Sequence, residues 1–324
     1  MSGLVYVGKV LSIAPIPGAD FIESLTVGLG PGGKWMGTAR KGDFAMGDAC
    51  EVYLQDSILP KEERFAFMER YNYRVRMARF KGVPSECLIM PLTRLDSQIG
   101  DDITVMSGVE KYEKPVPAAW RHGETYGTFP HFIPMTDEVN FQKVSHVREA
   151  LNGQAYYVTQ KIDGMSVTMY RYKDHFGVCS RRLEKKDTPN DPLWQLARKY
   201  SLDKTLPEGY AIQMEVAGPG IQKNPLGLKE LTPFVFDVYL INEQRYEGFD
   251  TLCAWRHDLV IPLVEVLAVG EYYNFLTDDQ LRTMAEETYP NGRQQEGIVI
   301  RSMKYQTYLR DRMSFKVINL LYKD

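Results

Sequence analysis

The sequence has few cysteines, no long apolar run and no dominant sign of charge, and each absence excludes a class of protein. Only four cysteines occur in 324 residues, far apart, with no C-x-x-C pair and no histidine at metal-ligand spacing. This usage argues against structural zinc and predicts buried free thiols in a reducing intracellular compartment, the cytoplasm. No stretch approaches the ~20 apolar residues of a membrane span, and the N-terminus lacks an apolar signal core.

The composition is that of an ordinary globular protein, with 44% hydrophobic and 25% charged residues. The length predicts roughly two domains. Because the net charge is only −3, any nucleic acid must be bound through local basic patches rather than through a global field. No internal repeat or low-complexity tract is present.

The first 105 residues read as short strands separated by turns rich in glycine and proline. Strand-like runs occur at residues 5–11, 49–54, 71–77 and 88–90, and residues 61–68 form the best candidate for an inserted helix. Several short strands with such turns predict a small β-barrel.

The composition changes after Val105 to a segment rich in proline, glycine and histidine, which is typical of a linker. Beyond it, Thr136-Asp137-Glu138 predicts the start of a helix that runs to about Leu151. Strands and helices then mix in an α+β pattern: strands at 156–161, 166–172, 210–216, 234–241, 297–302 and 313–318, and helices at 191–200, 250–258 and 277–288. We therefore predict a barrel domain at residues 1–110, a linker at 111–128 and a second domain at 129–324.

A lysine precedes an Asp-Gly turn between two predicted strands, in the stretch QKIDGMS at residues 160–166. Lys161 and Asp163 are two residues apart, so on a strand their side chains would leave the same face. Taken alone the K-x-D-G pattern is weak, because an Asp-Gly pair between strands is usually just a hairpin turn.

Charged and aromatic residues recur in order at the ends of later strands. The segments, with the residues that they supply, are CSRRLEKK at 179–186 (Arg181, Arg182), YAIQMEVAGPGIQKN at 210–224 (Glu215), FVFDVYLI at 234–241 (Phe236), EGIVIR at 296–301 (Glu296) and MSFKVIN at 313–319 (Lys316). Any one of them could be a solvated strand end or plain core. Their joint occurrence in this order favours a functional site.

These segments resemble the ordered motifs of the covalent nucleotidyltransferases, which include DNA ligases, RNA ligases and mRNA capping enzymes. Within that group the sequence is similar to the ATP-dependent RNA ligases of the Deinococcus/Naegleria type, which carry an OB domain ahead of a nucleotidyltransferase domain. The likeness extends over nearly the whole chain and includes FPHFIPMTDE at 129–138, GPGIQKNPLGL at 218–228 and RVRMARFKG at 74–82. The sequence departs from the type at Met135, where lysine is common, and at Asn140, where a basic residue is common.

The resemblance implies an α+β fold, with an N-terminal OB-type β-barrel followed by a nucleotidyltransferase domain of antiparallel sheets flanked by helices. It also implies a reaction in which a lysine attacks the α-phosphate of ATP and forms lysyl-N–AMP. AMP then passes to a 5′-phosphate strand end, and a 3′-OH finally displaces it. A free lysine has a pKa of ~10.4, so such a nucleophile needs neighbours that favour its neutral form.

By this resemblance Lys161 is the nucleophile, and the carboxylates of Asp163, Glu215 and Glu296 bind Mg²⁺ or Mn²⁺, in part through metal-bound water. Lys316 would contact the α-phosphate and Phe236 would stack on adenine. The remaining nucleotide-binding residues implied are Gln160, Gly164, Arg181 and Arg182.

An alternating basic face in the barrel domain points to a polynucleotide substrate. Basic residues alternate with apolar ones from Arg70 to Met77, and the candidate nucleic-acid-binding residues are Arg70, Arg74, Arg76, Arg79 and Lys81. Such side chains beside aromatic residues on an OB-like barrel fit a phosphate backbone. The expected partner is therefore RNA or an RNA-containing nicked duplex, with no membrane and no obligate protein partner, so that the chain would act as a monomer.

We expect an ATP-dependent RNA ligase that joins 3′-OH and 5′-phosphate ends, at nicks with RNA on the 3′-OH side. The chain ends soon after Lys316, without the C-terminal OB domain of DNA ligases and capping enzymes, and this favours RNA ligase. The enzyme alternatives are a DNA nick ligase and a capping guanylyltransferase. A non-catalytic OB-fold nucleic-acid-binding protein is the alternative from another class, although the intact set of motif residues argues against it.

Overall fold

The computed structural model describes residues 3–30, 33–93, 96–114, 124–258, 260–304, 307–308 and 311–323. The chain divides into two compact units. The first comprises Met1–Pro115 with Gln142–Ser145, and the second comprises Val116–Phe141 with His146–Asp324.

The first unit contains a closed β-barrel, as the sequence predicted. In chain order its strands are β1 (Val5–Pro15), β2 (Ile22–Gly28), β3 (Lys34–Arg40), β4 (Ala49–Leu54), β5 (Ser57–Ile58), β6 (Ala78–Phe80), β7 (Val83–Ser85), β8 (Cys87–Pro91) and β9 (Glu110–Lys111). The barrel closes in the order β1-β2-β3-β8-β4, with β3 and β8 parallel and the other neighbours antiparallel. This arrangement is that of an OB fold.

The first part of β1 is buried on both faces. Val5 and Val7 are two residues apart, share one face and pack with Tyr53 and Phe65, whereas Val10 is buried on the opposite face of the strand. The register of β1 against β2 shifts between Val10 and Ser12, which marks a bulge.

The predicted strand at residues 71–77 is wrong. A 3₁₀ helix occupies Glu63–Tyr71, close to the inserted helix expected at 61–68. Asn72 and Tyr73 then adopt the left-handed conformation, with φ of 52° and 57°, which breaks any extended run. The basic and apolar residues that alternate in sequence therefore do not lie on the two faces of one strand.

The second unit is built around two antiparallel sheets. Its strands are β10 (Thr125–Thr128), β11 (Tyr156–Lys161), β12 (Met165–Tyr172), β13 (His175–Ser180), β14 (Leu183–Lys185), β15 (Tyr210–Ala217), β16 (Thr232–Leu240), β17 (Arg245–Tyr246), β18 (Val266–Gly270), β19 (Gly297–Ser302), β20 (Thr307–Tyr308), β21 (Asp311–Arg312) and β22 (Ser314–Ile318). One sheet has the order β10-β14-β13-β12-β15-β16-β17, and the other has the order β18-β11-β19-β22.

The helices of the second unit are α1 (Ser145–Leu151), α2 (Pro192–Lys199), α3 (Leu202–Thr205), α4 (Phe249–Asp258) and α5 (Asp278–Ala285). The Asp191 carboxylate caps α2 by accepting from the amides of Leu193 and Trp194. Thr277 and Gln280 form a capping box at the start of α5. Apolar residues of α2 pack on the seven-stranded sheet and form part of its core. The predicted α+β fold is confirmed.

The helix predicted from residue 136 begins only at Ser145. Asp137 accepts from Arg181, and Glu138 lies 3.0 Å from Arg301, so these carboxylates form tertiary ion pairs instead of capping a helix. The residue types of a helix start are present, but arginines distant in sequence pair with these carboxylates.

Cys50, Cys87 and Cys179 are buried, and Cys253 is half-buried; all four are free thiols. Burial raises the pKa of the Cys50 thiol to about 12, so it stays protonated. Within the described residues, no helix is both long and apolar enough to cross a membrane.

Candidate active site

The side chain of Lys161 forms an ion pair with Glu296 at the end of two neighbouring strands. Lys161 is the last residue of β11 and lies opposite Gly297, the first residue of β19. Glu296 immediately precedes that glycine, so the pairing of β11 with β19 brings lysine and glutamate together. Their Nζ and Oε2 atoms are 2.5 Å apart, and both side chains are only partly exposed.

The same sheet register places Lys316 on the face that carries Lys161. Thr159 on β11 is opposite Val299 on β19, which is opposite Lys316 on β22. Residues that are directly opposite in antiparallel strands share a face, as do residues two apart along a strand. Two lysines far apart in sequence therefore project from one side of the four-stranded sheet.

Arg301 extends this face toward the predicted adenine-binding aromatic residue. Its Nη1 donates to the Thr159 hydroxyl at 3.0 Å, and its Nη2 lies 3.0 Å from Glu138. The guanidinium carbon is 5.8 Å from the ring centroid of Phe236 on β16. Phe236 is only half-buried, in a cluster with Ile162 of the K-x-D-G turn. The ring therefore lies near the Arg301 guanidinium, and its stacking on adenine stays a prediction.

The turn after Lys161 requires glycine because another backbone approaches it closely. A Cβ on Gly164 would lie 2.4 Å from the carbonyl oxygen of Val216 and 2.9 Å from Cγ of Glu215. The amide of Gly164 donates to Glu215 Oε1 at 3.1 Å. Glu215 is thereby held against the turn from the end of β15.

Asp163 is a buried carboxylate, 2% exposed, and its Oδ2 accepts a hydrogen bond of 2.5 Å from the Tyr322 hydroxyl. Burial and next the negative charge of Asp163 raise the pKa of Tyr322, so the phenol remains a donor. No sequence pattern predicts this contact, because Tyr322 follows the last strand and belongs to no periodic pattern.

A second tyrosine that sequence reasoning missed joins Lys161 to Glu296. Tyr289 is 1% exposed, and its hydroxyl donates to the Lys161 carbonyl at 3.1 Å and accepts from the Glu296 amide at 3.4 Å. Burial raises the pKa of Tyr289, which keeps this hydroxyl protonated. The Tyr289 hydroxyl thus holds the backbone of both residues that form the ion pair.

Asn319 anchors the turn that delivers Tyr322. It is 1% exposed, and its side-chain amide donates to Gln294 Oε1 at 3.0 Å and to the Gln295 carbonyl at 2.9 Å. Its Oδ1 accepts from the Leu321 amide at 2.9 Å. One buried side chain therefore couples the end of β22 to the segment that carries Glu296.

The three carboxylates predicted to bind metal are each engaged by the protein. Asp163 accepts from Tyr322, Glu215 from the Gly164 amide, and Glu296 pairs with Lys161. Across the described ranges, no three histidine, cysteine, aspartate or glutamate side chains come together as a set of direct metal ligands. The predicted cluster is therefore not a preformed cage, although carboxylate oxygens are the donors that Mg²⁺ and Mn²⁺ accept, often through retained water.

Gln160 does not reach this face with its side chain. As the neighbour of Lys161 in β11 it points the opposite way, is 4% exposed, and donates to Gln295 Oε1 at 3.0 Å. Arg181 and Arg182 lie in the exposed turn between β13 and β14, where Arg181 pairs with Asp137 at 2.8 Å. Their predicted approach to the nucleotide stays a prediction.

The nucleic-acid-binding role predicted for Arg74 is wrong on geometric grounds. Its side chain is buried, its Nη2 donates to Asp56 Oδ1 at 2.8 Å, and its guanidinium stacks 3.6 Å from the ring centroid of Tyr112. A guanidinium held in this way is not available to a phosphate. Arg74 is part of the core structure of the first unit.

The other basic candidates of the first unit are more accessible. Arg70 stacks on Tyr71 at 4.8 Å, and Arg76 is exposed. Arg79 donates to the Gly82 carbonyl at 2.7 Å, and the exposed Lys81 donates to the Gly18 carbonyl. Lys81 therefore lies beside the β1–β2 turn rather than on a strand shared with Arg74.

The barrel, and the K-x-D-G lysine beside a glutamate on two paired strands, are the arrangement expected of a polynucleotide ligase. Comparison with protein-family models gives the same result. The RNA ligase model matches residues 154–318, and an OB-fold domain model matches residues 4–92. The chain belongs to the RNA ligase family.

Solved structures of Naegleria gruberi RNA ligase are similar to this chain along nearly its whole length. An aspartate-to-alanine variant in its apo form is 29% identical, with a TM-score of 0.84 over 98% of this chain and 96% of that chain. A lysine-to-alanine variant with ATP and Mn is 30% identical, with a TM-score of 0.84 over 98% and 97%. A lysine-to-methionine variant with AMP and Mn is also 30% identical, with a TM-score of 0.84 over 98% and 96%. A search of curated proteins gave no match.

Proposed function

We propose that this protein is an ATP-dependent RNA ligase that joins a 3′-OH to a 5′-phosphate through lysyl–AMP and a 5′-adenylylated strand. The observation that carries the proposal is the ion pair of Lys161 with Glu296 at 2.5 Å, on the face that also bears Lys316. The similarity to Naegleria gruberi RNA ligase structures with ATP and Mn, and with AMP and Mn, supports the same assignment.

In the first step the Lys161 amine attacks the α-phosphorus of ATP. An N–P bond forms, the bond from that phosphorus to the bridging oxygen breaks, and pyrophosphate leaves. The amine must have lost its proton when it attacks. Glu296 and the Tyr289 hydroxyl fix the lysine from its side-chain end and its carbonyl end, so the nucleophile is oriented before ATP arrives.

Lys316 would stabilise charge on the α-phosphate as the phosphorus is attacked. Phe236 would stack on adenine, with the Arg301 guanidinium carbon 5.8 Å from the centroid of its ring. Asp163, Glu215 and Glu296 would hold Mg²⁺ or Mn²⁺ through water, and the ion would neutralise phosphate charge when bound. In the free protein these carboxylates are oriented by Tyr322, Gly164 and Lys161 respectively.

The two halves of the chain would divide the work. We propose an RNA-binding barrel at residues 1–110, a linker at 111–128 and the nucleotidyltransferase domain at 129–324. The residues assigned to nucleotide chemistry all follow residue 150, which is consistent with an independent role for the barrel in holding RNA.

The substrate proposed is a nick in a duplex whose 3′-OH strand ends in RNA. The test uses four nicked duplexes that carry RNA or DNA on either side of the nick, each joined by the intact protein with ATP. We expect fast sealing whenever the 3′-OH nucleotide is RNA, because the 2′-OH is the group that distinguishes the two. Equal sealing of RNA and DNA ends would favour the DNA-ligase alternative.

Labelled nucleotides separate the remaining alternatives. Incubation with α-labelled ATP should label the protein, whereas labelled GTP should not. A GTP adduct would favour a capping guanylyltransferase. Failure to form any adduct, with RNA binding retained, would favour a non-catalytic binding protein.

A further inference from the structure

The β1–β2 turn of the barrel presents an aromatic ring on a rigid base. Within residues 16–21, Ile16 and Ala19 are buried, and the Ala19 amide donates to the Ile16 carbonyl at 3.0 Å. Phe21 at the end of this turn is 80% exposed. Because two buried side chains anchor the turn, the backbone that carries the exposed ring is held in place, which lowers the entropy lost when a ligand binds.

Two lysine ammonium groups lie against the same turn. Lys41 Nζ donates to the Ala19 carbonyl at 2.8 Å, and the Lys41 amide donates to the Phe21 carbonyl at 3.0 Å. Lys81 Nζ donates to the Gly18 carbonyl. Both lysines are exposed, so their remaining ammonium hydrogens face solvent beside the ring.

These contacts join the two loops that OB folds use to bind oligonucleotides. Residues 16–21 connect the first and second barrel strands, and residues 55–86 connect the fourth and fifth, which are β4 and β8. Lys81 belongs to the second loop and Gly18 to the first, so their hydrogen bond links the two loops. Phe80, 40% exposed, lies next to Lys81 in the second loop.

Charges of both signs surround the turn, with Arg40, Lys41 and Lys81 on one side of the balance and Asp20, Glu23 and Asp43 on the other. Arg40 is also exposed and pairs in register with Ile22, the residue after Phe21. Asp20 is an opposing exposed charge, whereas the Glu23 carboxylate accepts from the Gly42 amide at 3.1 Å. An exposed ring flanked by ammonium groups suits a chain that alternates flat bases with phosphates, which an acidic peptide does not.

We propose that the surface formed by residues 16–21, Lys41 and Lys81, named here the loop junction, binds RNA by stacking one unpaired base on Phe21 while the lysines contact adjacent phosphates. The inference rests on the proposed function, which makes RNA the substrate, and it concerns a single-stranded stretch of that RNA rather than the paired bases at the nick. It replaces the basic face predicted around Arg74, since that arginine is committed to Asp56 and Tyr112.

The test measures binding of the full-length protein to a short single-stranded RNA and to a blunt RNA duplex, by fluorescence anisotropy across a salt series. Phe21→Ala should weaken single-strand binding roughly 5- to 150-fold, the range for one base–aromatic stack, and leave the salt slope unchanged. Phe21→Trp should retain affinity. Neither change should alter duplex binding, because a blunt duplex offers no unpaired base.

Substitution of the lysines should have the opposite effects on duplex binding and on the salt slope. Replacing Lys41 and Lys81 together by glutamine should weaken binding of both RNAs and reduce the salt slope by up to ~2, for two lost phosphate contacts. Met46→Ala is the matched control, since Met46 is 74% exposed on the same unit but belongs to neither loop of the junction. It should bind both RNAs normally.

Unchanged single-strand binding by Phe21→Ala would overturn the proposal and would leave the surface to another class of partner, such as a protein. A loss only in the lysine variant would equally overturn the stacking. Lysyl–AMP formation by each variant separates this result from the proposed function. If the intact protein forms no adduct yet depends on Phe21 for RNA binding, the ligase assignment fails and the loop junction stands.

Discussion

The hydroxyl of Tyr322 donates to Oδ2 of Asp163 at 2.5 Å, and so joins the turn after the last strand to the turn after Lys161. Asp163 is 2% exposed, so its carboxylate has exchanged water for hydrogen bonds supplied by the protein. Asp163 is thus paired with Tyr322, and Glu296 is paired with Lys161, the proposed nucleophile.

Tyr322→Phe should lower the free energy of unfolding by about 1–3 kcal/mol, because it removes a hydrogen bond to a buried charged group. Urea denaturation would measure the change. Tyr272→Phe is the matched control, since Tyr272 is 68% exposed and should have no effect. Equal stability of the two variants would mean that the Tyr322 contact contributes nothing.

Lys161→Ala should abolish the covalent AMP adduct, because no other group can form it. Lys161→Arg should also abolish the adduct, since a guanidinium stays protonated in proteins. Labelled ATP followed by denaturing gel electrophoresis gives the yield. Lys204→Ala, at an exposed site on α3, should label normally. An adduct of normal yield in either Lys161 variant would disprove the mechanism.

Asp163→Ala and Glu296→Ala should lose adenylylation even at high Mg²⁺, because each is assigned to the water shell of the metal. Lys316→Ala should slow it by about 10²–10³-fold, the usual effect of removing one charge-stabilising donor. Glu230→Ala, on the exposed surface, serves as the control. Normal labelling of all three site variants would show that the ordered motifs are a coincidence of strand ends.

Gly164→Ala should destabilise the protein by about 1–3 kcal/mol and reduce adduct formation, because its Cβ would overlap the Val216 carbonyl and displace Glu215. Thermal unfolding and the adduct assay would measure the two effects. A Cβ on Gly127 would meet no atom within 4 Å, so Gly127→Ala is the matched control. Identical behaviour of the two variants would contradict the close approach.

Arg74→Ala should reduce stability by about 2 kcal/mol without changing the salt dependence of RNA binding. The substitution removes a buried guanidinium from Asp56 and Tyr112, but Asp56 is partly exposed, so its carboxylate can be solvated again. Arg76→Ala, at an exposed position, is the comparison for stability. A reduced salt slope in Arg74→Ala would restore the phosphate-binding role that the geometry argues against.

The sequence by itself determined nine of the 22 strands in the described part of the chain, and the order of the site residues. The short strand-like runs at residues 49–54 and 156–161 located β4 and β11 at their observed bounds, and both strands are buried on both faces. The K-x-D-G lysine and the glutamate of EGIVIR were recognisable from their order along the chain. Their contact follows directly from the pairing of β11 with β19.

The tertiary structure decided what local pattern could not. Asp137 and Glu138 were expected to start a helix, but Arg181 and Arg301, distant in sequence, hold them in ion pairs. The alternation around Arg74 is typical of a strand. Asn72 and Tyr73 nevertheless adopt the left-handed conformation, and the Arg74 guanidinium is buried within the first unit.

Tyr289 and Tyr322 had no signal at all, since a hydrogen bond to the K-x-D-G turn depends on where separate segments meet. Periodicity reports which face of an element is buried. It carries no record of which distant side chain will satisfy a buried polar group, and that assignment is made only when the sheets assemble.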